Sequence, residues 1–61
     1  MITAQEVRRI YNRIIARPDM PEFIARHRVT WELMRMVVRG LLLPSELKPE
    51  HVNDMRVLES A

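Results

Sequence analysis

The segment PEFIARHRVTWELMRMVVRGLLL, residues 21–43, decides how this chain can fold. On a helical wheel, its broad apolar arc contains Phe23, Ile24, His27, Trp31, Met34 and Val38. A charged strip beside this arc contains Arg28, Glu32, Arg35 and Arg39. Beyond the strip lies a narrower apolar arc of Ala25, Val29, Leu33 and Met36. A surface helix needs one apolar stripe to attach to its own domain, so the second arc predicts an interface with another chain.

The small size of the chain supports the same expectation. The chain has 61 residues and no cysteine, so we predict one domain, residues 1–61, that no disulfide stabilises. Below about 70–80 residues, a single core rarely supplies more than about 3–5 kcal/mol of net stability. An apolar fraction of 48% also exceeds what so short a chain can easily bury. We therefore predict a homodimer whose interface is the narrow arc: Ala25, Val29, Leu33 and Met36.

The first helix is predicted at residues 3–17. Thr3 and Glu6 have the spacing of a capping box, in which each side chain accepts a hydrogen bond from the other residue's backbone N–H. After them, apolar residues recur at the i, i+3, i+4, i+7, i+8 spacing of one helix face. These residues are Val7, Ile10, Tyr11, Ile14 and Ile15. The helix should end before Pro18, because a residue that precedes proline is disfavoured in the helical region.

The second helix is predicted at residues 21–39. Pro21 suits the first turn of a helix, where its missing N–H has no consequence. Gly40 suits the left-handed position just past a helix end, where Leu41 could fold back onto Met36.

A third helix is predicted at residues 49–59, opened by Pro49 and carrying one weak apolar stripe. The expected fold is therefore all-α, a helical hairpin followed by a short third helix. The residues assigned to the core are Ile10, Ile14, Phe23, Trp31, Met34 and Val38.

A row of arginines provides a candidate partner-binding site. Arg9, Arg13 and Arg17 recur at i, i+4 and i+8, opposite the apolar stripe of the first helix. Guanidinium groups in such a row can bind phosphates or an acidic protein surface. An ordinary solvated helix face gives the same pattern, and both interpretations stay open.

The helix-turn-helix motif of DNA-binding proteins fits the chain poorly. Its second helix must present polar side chains to base edges, whereas the predicted helix at 21–39 is mostly apolar and carries Glu32, which phosphate would repel. Nucleic-acid binding is therefore expected only from the arginine row.

Catalysis has no support in the sequence. It contains no nucleophile with a plausible base, no paired carboxylates on one helix face and no glycine-rich phosphate loop. His27 and His51 are too few to predict a metal site. We expect no enzyme activity, no cofactor, no metal and no small-molecule substrate.

The chain is expected to be cytoplasmic, with no membrane partner. Its longest wholly apolar run is Gly40–Leu43, whereas a membrane-spanning helix needs about 20 apolar residues. The start, MITAQEVRR, lacks the apolar run of a secretory signal.

Together these patterns predict a small non-enzymatic protein-binding module, with a second copy of itself and another protein as partners. It would act as an accessory modulator or inhibitor of a larger protein, for example one encoded by a phage or mobile element. Two alternatives stay open. One is a DNA- or RNA-binding transcriptional regulator that uses the arginine-lined helix face, and the other is a structural oligomerisation or assembly subunit.

Overall fold

The structure, a computed structural model, describes all 61 residues and contains four α-helices and no strands. The helices are α1 (Ala4–Ile15), α2 (Met20–Arg26), α3 (Arg28–Val38) and α4 (Pro49–Ser60). A short 3-10 turn at Pro44–Glu46 precedes α4. The predicted all-α class is confirmed, with one helix more than the sequence patterns indicate.

The capping box predicted at the start of α1 is confirmed. The backbone N–H of Glu6 donates to Oγ1 of Thr3 at 3.1 Å, and the backbone N–H of Thr3 donates to Oε1 of Glu6 at 3.1 Å. The amphipathic face that follows buries Val7, Ile10 and Ile14. Two of the free N–H groups at the helix start are thereby satisfied.

The prediction of one continuous helix at 21–39 is wrong, because the chain leaves helical geometry at His27 (φ −126°, ψ 40°). The bend at His27 keeps α2 against the core, where Phe23 is buried.

The end of α3 is a Schellman motif centred on Gly40, which has a φ of +76°. The N–H of Gly40 donates to the carbonyl of Val37 at 3.0 Å, and the N–H of Leu41 donates to the carbonyl of Met36 at 2.9 Å. These two bonds define the motif. They confirm the predicted helix end and turn Leu41 back toward Met36.

The core is one cluster of ten buried apolar side chains. They are Ile2, Val7, Ile10, Ile14, Phe23, Trp31, Met34, Val37, Met55 and Leu58. Val38, which the wheel assigns to the core, is only half-buried, and its neighbour Val37 is buried instead. The wheel assumes a continuous helix, whereas α3 restarts after His27 with its own orientation.

Contacts of α4 with α1 and α3 close the bundle. Arg56 on α4 donates to Oε2 of Glu6 on α1 at 2.5 Å. The hydroxyl of Thr30 on α3 is buried and donates to Oδ2 of Asp54 at 3.4 Å. A buried hydroxyl needs such a partner, and this bond joins α3 to α4.

Candidate functional site

An apolar strip runs along the outer side of α3 and into the turn after it. Val29 is 67% exposed, Met36 38% and Leu41 68%. Leu33 is half-buried and packs against the edge of the core. Val29, Leu33 and Met36 follow i, i+4, i+7 spacing and so share one helix face, and the Schellman turn brings Leu41 toward Met36. We name Val29, Leu33, Met36 and Leu41 the α3 strip.

The α3 strip differs from the predicted interface at both ends. Ala25 is exposed, but it lies on α2, and the bend at His27 separates it from α3. The four residues predicted as an interface therefore do not form one straight seam. Leu41 extends the strip at its other end, and the predicted fold-back of Leu41 onto Met36 is the sequence signal for its place there.

Charged residues border the α3 strip. Arg28, Glu32 and Arg39 are exposed and Arg35 is half-buried. None of these four side chains takes part in the ion pairs of the chain. Apolar area inside a polar rim is the usual composition of a protein-binding patch.

The three arginines of the predicted row have different environments. Nε of Arg9 donates to Oε2 of Glu59 at 3.0 Å. Arg17 follows the end of α1, and its guanidinium carbon lies 3.9 Å from the centroid of the Phe23 ring. Arg13 is exposed and has no ion-pair partner. The row is therefore not one free cationic face, because α1 ends before Arg17 and that side chain covers the core.

A polar surface that overlaps the predicted row lies on the outer side of α1. A shallow groove there is lined by Gln5, Arg8, Arg9, Asn12, Arg13 and Ala16, with no carboxylate among them. Nη2 of Arg8 donates to the carbonyl of Val38 at 3.2 Å, which places this guanidinium beside the end of α3. We name Gln5, Arg8, Asn12 and Arg13 the α1 polar face. The same i, i+3, i+4 spacing that identifies the buried face of α1 also places Gln5, Arg8 and Asn12 together on the outer face. A search for charged residues alone finds only the arginines.

The acidic residues near α1 are held by arginines. The hydrogen bond from Arg56 is the main reason that the pKa of Glu6 is lowered, followed by the backbone N–H of Thr3. The pKa of Asp19 is lowered chiefly by its hydrogen bond from Arg17, which also raises the pKa of that arginine. Both carboxylates are therefore suited to permanent ion pairing and poorly suited to exchanging protons near neutral pH.

Comparisons with known protein families, with characterised proteins and with solved structures give no match to this chain. No group of three or more potential metal-binding side chains lies together in the structure. None of the helices has the length and apolar composition required to cross a bilayer. The α3 strip and the α1 polar face are therefore the two candidate binding surfaces of the chain.

Proposed function

We propose that this chain is a non-enzymatic protein-binding module whose α3 strip binds a second copy of the chain. The observation that carries the proposal is a row of three exposed large apolar side chains, Val29, Met36 and Leu41. Single exposed apolar residues are normal on a protein surface. Several exposed apolar residues in one row, bordered by charged residues, are typical of an interface.

A second copy is the favoured occupant because the strip suits a two-fold pairing. In such a dimer, both subunits use the same patch. Val29 lies four residues before Leu33, and Met36 lies three residues after it. Antiparallel pairing centred near Leu33 would therefore bring Val29 of each copy opposite Met36 of the other. Pairing would also supply stability that a domain of this size otherwise has little means to gain.

Val29→Glu tests the proposal without disturbing the fold. Val29 is exposed and occupies the second position of α3, whose first turn carries no acidic residue. Glutamate has a higher helix propensity than valine, and its charge is favourable near a helix N-terminus. In the monomer the substitution should therefore be neutral or stabilising. In a paired strip it would bury an unpaired charge, at a cost of several kcal/mol.

Sedimentation equilibrium over a range of concentrations provides the measurement. The wild-type chain should sediment as a dimer, and the Val29→Glu variant as a monomer with an unchanged circular dichroism spectrum. The matched control is Ile15→Glu, since Ile15 is 47% exposed on α1, outside the strip. The control should keep the dimer mass. A monomeric wild-type chain, or a dimeric Val29→Glu variant, overturns the proposal.

The biological role of the chain depends on whether it binds another protein or only copies of itself. Accessory modulation or inhibition of another protein stays a prediction, as does the alternative of an assembly subunit. A modulator should bind a foreign protein in fixed stoichiometry, and an assembly subunit should bind only copies of itself. Cross-linking in the source cells, followed by mass spectrometry of the products, separates the two, with Val29→Glu identifying products that depend on the strip.

A further inference from the structure

We infer that the α1 polar face binds double-stranded DNA by entering the major groove. This is a second binding activity, on a different helix from the α3 strip, and it does not rest on the proposed dimer. The inference comes from three properties of the face: its charge, its amide side chains and its dimensions.

The charge of the face is complementary to a polyanion. Arg8, Arg9 and Arg13 line the groove on α1, and no carboxylate does. Glu6, the acidic residue of α1, is held by Arg56 on the side that faces α4. Arginines that neutralise phosphates release condensed counterions, which favours binding to DNA. Arg9 is paired with the Glu59 carboxylate. The main candidates for phosphate or base contacts are therefore Arg13, which has no ion-pair partner, and Arg8, whose guanidinium donates to the neutral carbonyl of Val38 and keeps its charge unpaired.

The amide side chains favour DNA over an acidic protein surface. Gln5 and Asn12 are seven residues apart, which is two helical turns, so they lie in line along the middle of the face. Each amide presents both a donor and an acceptor. Glutamine and asparagine match the adenine edge in the major groove, and arginine matches the guanine edge. Binding to an acidic protein surface would require only the arginines and would give the two amides no role.

The dimensions of α1 suit B-form DNA. A helix with its side chains is about 10–12 Å across, and the major groove is about 12 Å wide. The opposite side of α1 buries Val7, Ile10 and Ile14, so the outer face can enter a groove while the inner face stays packed. The major groove of A-form RNA is too deep and narrow to be read in this way, so the inference is limited to DNA.

Fluorescence anisotropy with a labelled random-sequence DNA duplex pool tests the inference. Affinity should fall as salt rises, with a slope of about −2 in log K against log salt for two phosphate contacts, one each from Arg8 and Arg13. The double variant Arg8→Ala/Arg13→Ala should bind at least tenfold more weakly, with a shallower salt slope. The control double variant Arg28→Ala/Lys48→Ala removes the same charge from exposed positions outside the face and should keep both the slope and most of the affinity. Near-UV circular dichroism of the Tyr11–Trp31 stack verifies that each variant is folded.

Asn12→Ala separates groove reading from simple charge attraction. The variant keeps every charge, so its salt slope should match that of the wild type. The sequences enriched in the protein-bound fraction of the pool, read by sequencing, should change at one or more positions. Failure of the wild-type chain to bind the pool at low salt overturns the inference. Equal losses of affinity in the control double variant and in Arg8→Ala/Arg13→Ala also overturn it. So does enrichment of the same sequences by Asn12→Ala and by the wild type. Competition by polyglutamate as strong as that by unlabelled duplex would likewise overturn it, because it would show attraction to any polyanion.

Discussion

The ring of Tyr11 lies flat against the indole of Trp31, with centroids 4.5 Å apart and planes 7° from parallel. Tyr11 belongs to α1 and Trp31 to α3, so the stack joins the two helices across the core. Tyr11 is half-buried, and its ring covers one side of the only tryptophan in the chain. Stacked aromatic pairs contribute about 0.5–1.5 kcal/mol beyond the area that they bury.

Replacing Tyr11 with alanine should lower the free energy of unfolding by about 2–3 kcal/mol, because the stack and the buried part of the ring are both lost. Tyr11→Phe keeps the ring and should change stability much less. Urea denaturation, followed by far-UV circular dichroism, measures both variants. An alanine variant that unfolds at the wild-type midpoint would show that the stack contributes nothing to stability.

Arg17 and Arg13 should behave differently despite their similar places in the sequence. Arg17 packs over Phe23 and donates to Oδ1 of Asp19 at 2.9 Å, whereas Arg13 is exposed and has no ion-pair partner. Arg17→Ala should lower the urea midpoint, because the Phe23 ring loses its cover and its cation–π contact. Arg13→Ala should leave the midpoint unchanged. Equal midpoints for the two variants would contradict the structural role of Arg17.

Acidification should destabilise the chain through Glu6 and Asp19. Hydrogen bonds from Arg56 and Arg17, respectively, are the main reason that the folded pKa of each carboxyl lies below its ordinary value. Their contribution is fully present above the unfolded pKa values, near 4, and is lost as the pH falls through the lower folded values. The contribution of these two groups should leave the melting temperature of the chain level from about pH 5 to 7 and should lower it below about pH 4.

The double variant Glu6→Gln/Asp19→Asn should flatten this acid limb, because it removes both titrating groups. Glu22→Gln is the matched control, since Glu22 is exposed and has no ion pair; it should keep the wild-type slope. Melting followed by circular dichroism at a series of pH values gives the comparison. An acid limb as steep in the double variant as in the wild type would assign the acid sensitivity to other groups.

The start of α1 and the end of α3 could be predicted because their signals are local. The capping box of Thr3 and Glu6 lies within four residues, and the end of α3 depends on the left-handed backbone that Gly40 adopts. An added Cβ at Gly40 would meet no atom within 4 Å, so the preference for glycine there comes from the backbone alone. Such signals do not depend on tertiary contacts.

The bend at His27 could not be predicted, because neither glycine nor proline marks it. It accompanies the burial of Phe23 in the core, which is a tertiary property. The placement of two candidate residues differs from the helical pattern: Ala25 lies on α2 and not in line with α3, and Arg17 follows the end of α1. The α1 polar face could be predicted from the sequence, because Gln5, Arg8 and Asn12 lie on one continuous helix.

The melting temperature of the wild-type chain should rise with protein concentration if the α3 strip pairs two copies. Unfolding then includes dissociation, so mass action favours the folded dimer at higher concentration. The Val29→Glu variant should melt at one temperature throughout, since its folded state has no partner to lose, and Ile15→Glu should keep the wild-type dependence. Scanning calorimetry over a hundredfold concentration range measures all three. A wild-type melting temperature that does not change over that range would mean that the exposed side chains of Val29, Met36 and Leu41 stay in water, and the strip would then need a different partner.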